Sequence, residues 1–514
     1  MTRLEPNLKI PAISPTRSSA VVIGAGLGGL SAAMRLGSKG YSVTVIDRLD
    51  RVGGRGSSVT KNGFRFDLGP TILTVPQVFE RLWKDCGKDF AGDVELVPLD
   101  PFYEIRWQDG SRFQVRSSEE EMLAEVTRNF PKDLKGYCKF LEDCEKRYVF
   151  GFEGLGRRPM NKIWDLLKEI PGFIRLRADR SVYAHVSTRV KDPKLRMALS
   201  FHPLFIGGDP RNVTSMYILV SHLEKAFGVH YVKGGVQALA DAMANVIKEQ
   251  GGQVLLNSNV ENITLNNQKA DGVTLENGLK LNADIVVSNA DPGWTYNKLL
   301  PNYKKKRWTE KKLKKSRWSM GLFVWYFGTK NTRTKWQDVG HHTIMNGPRY
   351  RGLLADIFDR QFLADDMSIY LHRPSVTDPS AAPKGDDCFY ALSPVPNLKT
   401  SNPIDWSEEL EGYKNKMRMV LEETIPGFSD AIIAEHILTP KDFEERYLSP
   451  YGSGFSLEPR IFQSAWFRPH NVSEDIENLY LVGAGTHPGA GIPSVVTSSE
   501  VLSQLVSDPV TGGT

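Results

Sequence analysis

A run of glycines near the start of the chain, followed by an acid, has the types and spacing that hold a diphosphate. Gly24-Ala25-Gly26-Leu27-Gly28-Gly29 fits G-x-G-x-x-G. Gly24 permits a tight turn, Gly26 lets backbone approach a pyrophosphate, and Gly29 lets a helix pack closely on a strand. The N-terminus of the following helix offers free N–H groups and a positive dipole end to phosphate. Asp47, roughly 20 residues on, can accept hydrogen bonds from ribose hydroxyls, with Arg48 beside it. A lone G-x-G-x-x-G also matches surface turns, so the flanking strands, helix and terminal acid carry the reading.

A second loop, Arg51-Val52-Gly53-Gly54-Arg55, follows at once. Gly53 and Gly54 let the chain pass along the pyrophosphate, and the planar guanidinium of Arg55 can neutralise it. A nicotinamide domain has no need of this loop, so FAD is the expected cofactor. The turn Gly69-Pro70-Thr71 again suits close backbone approach. Far away, Asn478–Pro493 reads as a strand, a turn rich in small residues (Gly483, Ala484, Gly485, Gly491) and a helix starting near Ile492 and Val495. Its amides and helix dipole suit the electron-rich edge of a reduced flavin.

These residues need elements to position them. Ala20–Ile23, Leu30–Lys39 and Tyr41–Ile46 read as strand, helix and strand, a βαβ unit. Helical patterns cover Glu119–Phe130, Leu134–Tyr148, Asn161–Glu169, part of Met216–Phe227, Val236–Gln250 and Glu408–Glu423. Strands are expected between Gln253 and Val287, with a turn at Asn277-Gly278, and at Leu322–Phe327 and Leu479–Val482. The fold class is therefore α/β. A Rossmann-type lobe is assembled from segments 20–90, 231–300 and 469–506. A substrate lobe of mixed helix and strand takes 91–230 and 301–468, behind a polar tail at 1–19.

At 514 residues the chain exceeds one ordinary core. No apolar run nears the roughly 18–20 residues that span a bilayer. The N-terminus lacks the apolar stretch of a secretory signal. The four cysteines show no metal or redox spacing and read as reduced thiols. His341-His342 has no matching ligand cluster, so no metal is expected. Nothing resembles a hydrolase nucleophile elbow.

The stretch Asn478–Ile492 with Ser498 resembles the signature of the bacterial-type phytoene desaturases. So do Phe201–Gly208, Phe227–Tyr231 and Gln463–His470. The resemblance runs from about Ala20 to Val501 and is strongest with enzymes of purple bacteria. One departure is Ser494, where the family commonly carries glycine; another is Asp47, where many relatives carry glutamate. The resemblance places Val260, in Asn257-Ser258-Asn259-Val260, against the adenine, with a plain core valine as the rival. It implies stepwise FAD-dependent dehydrogenation of phytoene to neurosporene or lycopene, with oxygen or a quinone as electron acceptor.

A hydrocarbon offers no polar handle, so specificity falls to an apolar tunnel. Phe201–Ile206, Met320–Phe327 and Phe462–Phe467 are its candidates. No catalytic base is assigned: Asp165 reads as a solvated helix acid, and His487 has a backbone role. The substrate class implies peripheral contact with the inner membrane from the cytoplasm. Lys304–Trp308 and Lys311–Trp318, basic residues interleaved with tryptophans, are the candidate contact, with a solvated lysine-rich helix as the alternative. No nucleic-acid module is recognisable. Other readings stay open: a related carotenoid desaturase or isomerase, an amine oxidase with an aromatic cage at its flavin, and a non-catalytic prenyl-lipid carrier with a damaged cradle.

Overall fold

A computed structural model describes residues 18–509; most of the polar tail, residues 1–17, lies outside them. Five parallel strands form one sheet, in the order Leu479–Leu481, Ile285–Ser288, Ser19–Ile23, Ser42–Ile46, Gln253–Leu255. Ser19–Ile23 lies at its centre, and its Ala-Val-Val-Ile run is buried throughout, as a strand covered on both faces requires. The helix Leu27–Lys39 covers one face and starts three residues earlier than expected, because Gly26 itself is its N-terminal cap. It ends at Gly40, whose left-handed φ of 103° lets its N–H reach the carbonyls of Leu36 and Gly37. The closing helix Ile492–Leu505 packs beside it, tied by Arg35 Nη1 donating to Ser499 Oγ at 2.8 Å.

A three-stranded antiparallel sheet, Val260–Asn266, Lys269–Leu275 and Lys280–Asn282, sits beside this layer. The other large sheet has seven strands. Its order is Ile432–Leu438, Gly321–Thr329, Asp387–Val395, Ile369–His372, His342–Asn346, Tyr103–Trp107, Arg112–Val115. Strands from both sides of residue 231 thus share one sheet. The fully buried strand Gly321–Thr329 divides its side chains by parity. Phe323, Trp325 and Phe327 pack in a core under the helix Trp406–Glu422, while Leu322, Val324 and Tyr326 line an internal chamber.

Helices fill the mouth of that chamber. Leu134–Arg147 continues into a wide π turn, Tyr148–Leu155, which brings Gly151, Phe152 and Leu155 to the wall. The helix expected over Asn161–Glu169 runs instead Ile163–Arg175 and accommodates Pro171, the residue at which the sequence pattern stops. It buries none of its residues. Among the described residues no helix is long and apolar enough to cross a membrane.

Candidate functional site

The cradle and the tunnel are one chamber of about 720 Å³. Gly24, Gly26 and Gly28 line it, with Gly24 at φ 94°. Asn289, directly after the strand Ile285–Ser288, fills the space beside them. A Cβ added at Gly26 would stand 2.9 Å from its Nδ2, and one at Gly28 2.5 Å from its Oδ1. Gly29 does not line the chamber. Its Cβ would lie 2.0 Å from the Gly24 carbonyl oxygen, so it serves helix–strand packing alone.

Asp47 follows the strand Ser42–Ile46 and lies against the same glycine loop. Its Oδ2 accepts from the Ala25 N–H at 2.6 Å and its Oδ1 from the Leu49 N–H at 2.8 Å. Burial raises its pKa, against the pull of those amides. Val260 lines the chamber next to Ser258 and Asn259, and it is buried. Arg48 also reaches the lining, but Nη1 donates to the Glu445 and Arg446 carbonyls at 2.6 and 3.0 Å, and the residue is exposed. Those contacts use Nη1 alone and tie the loop after Asp47 to the helix end at Glu445-Arg446.

Gly53 and Gly54, at φ 106° and 57°, fold the second loop against the first; the Gly53 N–H donates to the Ala25 carbonyl at 2.8 Å. Gly69 is equally constrained, since a Cβ there would meet the Arg55 carbonyl oxygen at 2.0 Å. Pro70 and Thr71 complete this wall. The Arg55 guanidinium is enclosed by protein with its open side on the chamber. Its Nη2 donates to Ser449 Oγ at 2.7 Å, its Nε has no partner, and burial lowers its pKa. A buried cation left short of acceptors beside glycine amides fits a diphosphate.

At the other end, Ala484, Gly485, Gly491, Ile492 and Val495 line the chamber. Gly483 does not, which corrects its assignment as a cofactor contact: its N–H is taken by Ser498 Oγ at 3.0 Å, and its φ of 98° turns the chain. Gly491, at φ 103°, caps the closing helix and leaves that helix's first amides open. Ser494 sits in the first helical turn, outside the left-handed region, so its Cβ causes no backbone strain. Arg468, within the Gln463–His470 stretch, is fully buried behind the lining; its Nη2 donates to the Ala484 and Leu457 carbonyls at 2.7 and 3.2 Å and its Nη1 to the Gln463 carbonyl at 3.2 Å, while Nε is unpartnered. His487 lines the chamber, yet its Nε2 lies 3.1 Å from both the Leu155 and Arg158 carbonyls. Burial lowers its pKa to about 4, so it stays neutral.

Beyond the cradle the walls are apolar. Of the tunnel candidates, Leu204–Ile206, Leu322, Val324, Tyr326, Phe462 and Phe467 line the chamber, whereas Phe201, Met320 and Trp466 do not. Trp466 instead packs under Arg307, 4.3 Å from its ring centroid. Three tyrosines, Tyr326, Tyr370 and Tyr390, stand between tunnel and cradle, and Glu224 lies farther along the wall.

Two expectations need correcting. Trp308 and Trp318 are only 2% and 5% exposed and belong to the core, so the lysine-rich stretch presents no aromatic belt to a membrane. Its spacing could not reveal which side faced water. His341-His342 does have a neighbour: the adjacent strand brings His372 in, and ligand atoms of the three lie within 4.8 Å of one another. They are bonded to the Phe102 carbonyl, Thr377 Oγ1 and each other, and burial lowers all three pKa values.

Two glycine loops, a buried acid held by backbone amides, an arginine short of acceptors and an open helix N-terminus define a dinucleotide flavoprotein whose second lobe encloses an apolar chamber. The chain belongs to the flavin containing amine oxidoreductase family, whose model matches residues 27–506, and FAD is its cofactor. Within that family it is 62% identical over 501 residues to a phytoene desaturase (neurosporene-forming) of Cereibacter sphaeroides, covering 97% of each chain. It is 42% identical over 496 residues to a phytoene desaturase (lycopene-forming) of a Paracoccus species, covering 96% of this chain and 98% of that one. Among solved structures, an oxidoreductase from Methanosarcina mazei shares the fold at a TM-score of 0.64 and 18% identity, over 95% of this chain and 100% of that one.

Proposed function

We propose that this protein is a phytoene desaturase that uses FAD to dehydrogenate phytoene stepwise, with neurosporene as its main product. One observation carries the reading: the flavin cradle opens without interruption into an apolar chamber. The 62% identity to a neurosporene-forming enzyme, against 42% to a lycopene-forming one, favours the earlier stopping point.

When bound, FAD supplies the two-electron acceptor for a hydride from a CH₂ group. The protein's own residues bind and orient. The Gly24–Gly28 and Gly53–Gly54 backbones with Arg55 would hold the diphosphate, and the Gly491 turn and following helix would supply amides and a dipole end to the ring. Leu204–Ile206, Leu322 and Val324 exclude water from the hydrocarbon. The tyrosines meet one requirement of an amine oxidase. However, the wall beyond the cradle is mostly apolar, which suits a hydrocarbon better than a charged amine. Of its acids, Asp47 accepts backbone amides, Asp291 accepts from the Gly293 N–H, and Glu224 accepts from Tyr103 through Oε2 while its Oε1 has no partner. The intact cradle argues against a non-catalytic lipid carrier.

Peripheral contact with the cytoplasmic face of the inner membrane is part of the proposal. Ile163, Leu167, Ile170 and Ile174 form one helical stripe, 39–67% exposed, with Trp164 alongside at 67%. Leu166, Ile170 and Phe173 of the same helix line the chamber, as does Phe462, itself 73% exposed. Substrate would pass from lipid to tunnel without crossing water, and oxygen or a quinone would reoxidise the flavin. The test is FAD-loaded protein incubated with phytoene in liposomes, with products separated by chromatography. Neurosporene formed without any amine supports the reading; unchanged phytoene refutes it. Trp164→Glu with Ile174→Glu should lower vesicle binding about 100-fold or more, taking about 1.5–3 kcal/mol for each buried apolar side chain. Undiminished binding would remove this helix from the account.

A further inference from the structure

The chamber wall adjoining the cradle is built from tyrosine, where packing against a hydrocarbon asks only for leucine or phenylalanine. Tyr326, Tyr370 and Tyr390 come from three strands of the seven-stranded sheet, all line the chamber, and they are 1%, 8% and 4% exposed. Their rings form one group, with centroids 5.6 Å apart for Tyr326–Tyr390 and 5.7 Å for Tyr370–Tyr390. Thr71 Oγ1 hydrogen-bonds with the hydroxyls of Tyr370 at 2.9 Å and Tyr390 at 2.8 Å. The Tyr390 hydroxyl also lies 3.5 Å from the Gly69 carbonyl oxygen. Tyr370 and Tyr390 are thus fixed to the Gly69–Thr71 turn of the cradle, and Tyr326 packs against Tyr390. On the tunnel side Phe205 meets Tyr370 edge-on at 5.7 Å.

Taking the desaturase reading as given, the reaction creates a charge that this chamber must accommodate. A C–H bond of one CH₂ group breaks with both electrons leaving as hydride, and FAD is reduced. Positive charge then spreads over the neighbouring allylic carbons. A C–H bond on the adjacent carbon breaks next; its electron pair becomes the new π bond and its proton is released to the bulk solvent outside the apolar wall. Between the two events a carbocation sits in a chamber of low polarity, where a fixed source of negative potential has its largest effect. Aromatic faces supply that potential without offering a nucleophile that would trap the cation. Burial keeps all three phenols protonated. Behind them lies Asp67, a buried carboxyl whose charge acts on all three hydroxyls.

We propose that the rings of Tyr326, Tyr370 and Tyr390 stabilise the allylic cation formed during dehydrogenation, so that the chamber binds a cationic polyene analogue more tightly than a neutral one. A ring in a desolvated site is expected to contribute about 10- to 30-fold, equivalent to about 1.4–2 kcal/mol.

The test compares two probes on the FAD-loaded protein, a polyprenyl tertiary amine carrying a positive charge and its neutral carbon isostere. Both are followed by the change in flavin fluorescence. Wild-type protein should favour the amine at least tenfold. Tyr390→Phe should keep that preference within about threefold, because the ring survives when its hydroxyl is lost. Tyr390→Leu should cut amine affinity about 10- to 30-fold and leave the isostere unchanged. Phenylalanines of increasing fluorination at position 390, which preserve shape and drain the ring face, should lower amine affinity stepwise. This series decides the matter if Tyr390→Leu cannot hold FAD. Equal affinity for both probes, or indifference to fluorination, overturns the assignment. If phytoene reduces the wild-type flavin while no amine preference exists, only the aromatic wall is refuted. If the amine reduces the flavin and phytoene never does, the desaturase reading falls, and the cation role proposed on it falls too.

Discussion

Replacing Arg55 by methionine should move cofactor affinity and apoprotein stability in opposite directions. The guanidinium is enclosed beside the chamber, Nη2 has one good acceptor in Ser449 Oγ at 2.7 Å, and the contact to the Ser453 carbonyl is 3.4 Å. Nε has none. Among the described residues no carboxylate forms an ion pair with it; Asp291 acts only through its field. A diphosphate would be its missing partner. Loss of a charge-assisted, forked interaction in a partly desolvated place costs about 3–5 kcal/mol, which raises the FAD Kd about 150- to 5000-fold. The apoprotein escapes the cost of an under-solvated cation. Methionine there should stabilise it by about 1–2 kcal/mol, modest because the charge opens on the chamber. Urea unfolding of the apoprotein and flavin fluorescence titration measure the two quantities. An Arg55→Met apoprotein that is less stable than wild type, with a Kd within tenfold, would refute this view of the residue.

Gly29→Ala should lose FAD and destabilise the fold by about 1–3 kcal/mol, because the new methyl would stand 2.0 Å from a backbone carbonyl oxygen; unfolding and cofactor content check it. Ser494→Gly should weaken the closing helix by about 0.5 kcal/mol and change FAD affinity less than threefold, measured by thermal unfolding and titration. Burial lifts the Asp67 carboxyl from 3.8 to about 6. The folded chain therefore holds this proton more tightly than the unfolded one, and stability falls as pH rises from about 4 to about 6, by about 3 kcal/mol. Urea midpoints of wild type and Asp67→Asn should converge below pH 4 and differ most above pH 6, with the variant the more stable.

What could be read in the sequence was local. Gly24, Gly53, Gly54 and Gly491 each have a positive φ that their own turn requires, so their types betray the geometry, whereas Gly26 and Gly69 are small because Asn289 and Arg55 approach them. Gly483 misled for the same reason: its φ demands glycine, but Ser498, many residues on, takes its N–H. Asn289 went unseen, as did the grouping of Tyr326 with Tyr370 and Tyr390, because only strand pairing brings these partners together, and one residue's shift in register would turn Tyr326 into the core. The lysine–tryptophan stretch shows the limit of composition. Tryptophan suits a membrane interface and a core alike, and here both tryptophans pack inward. The helix expected to stop at Glu169 continues through Pro171 to Arg175, which adds Ile170 and Ile174 to its exposed stripe.

The central claim is that remote segments grip one FAD beside a chamber made for a hydrocarbon. Anaerobic mixing of the FAD-loaded protein with phytoene in vesicles tests it most directly, with flavin absorbance followed in a single turnover. The account predicts bleaching of the oxidised band in step with the appearance of a more conjugated polyene. A flavin that stays oxidised in the presence of phytoene, yet bleaches with a small amine, would contradict it.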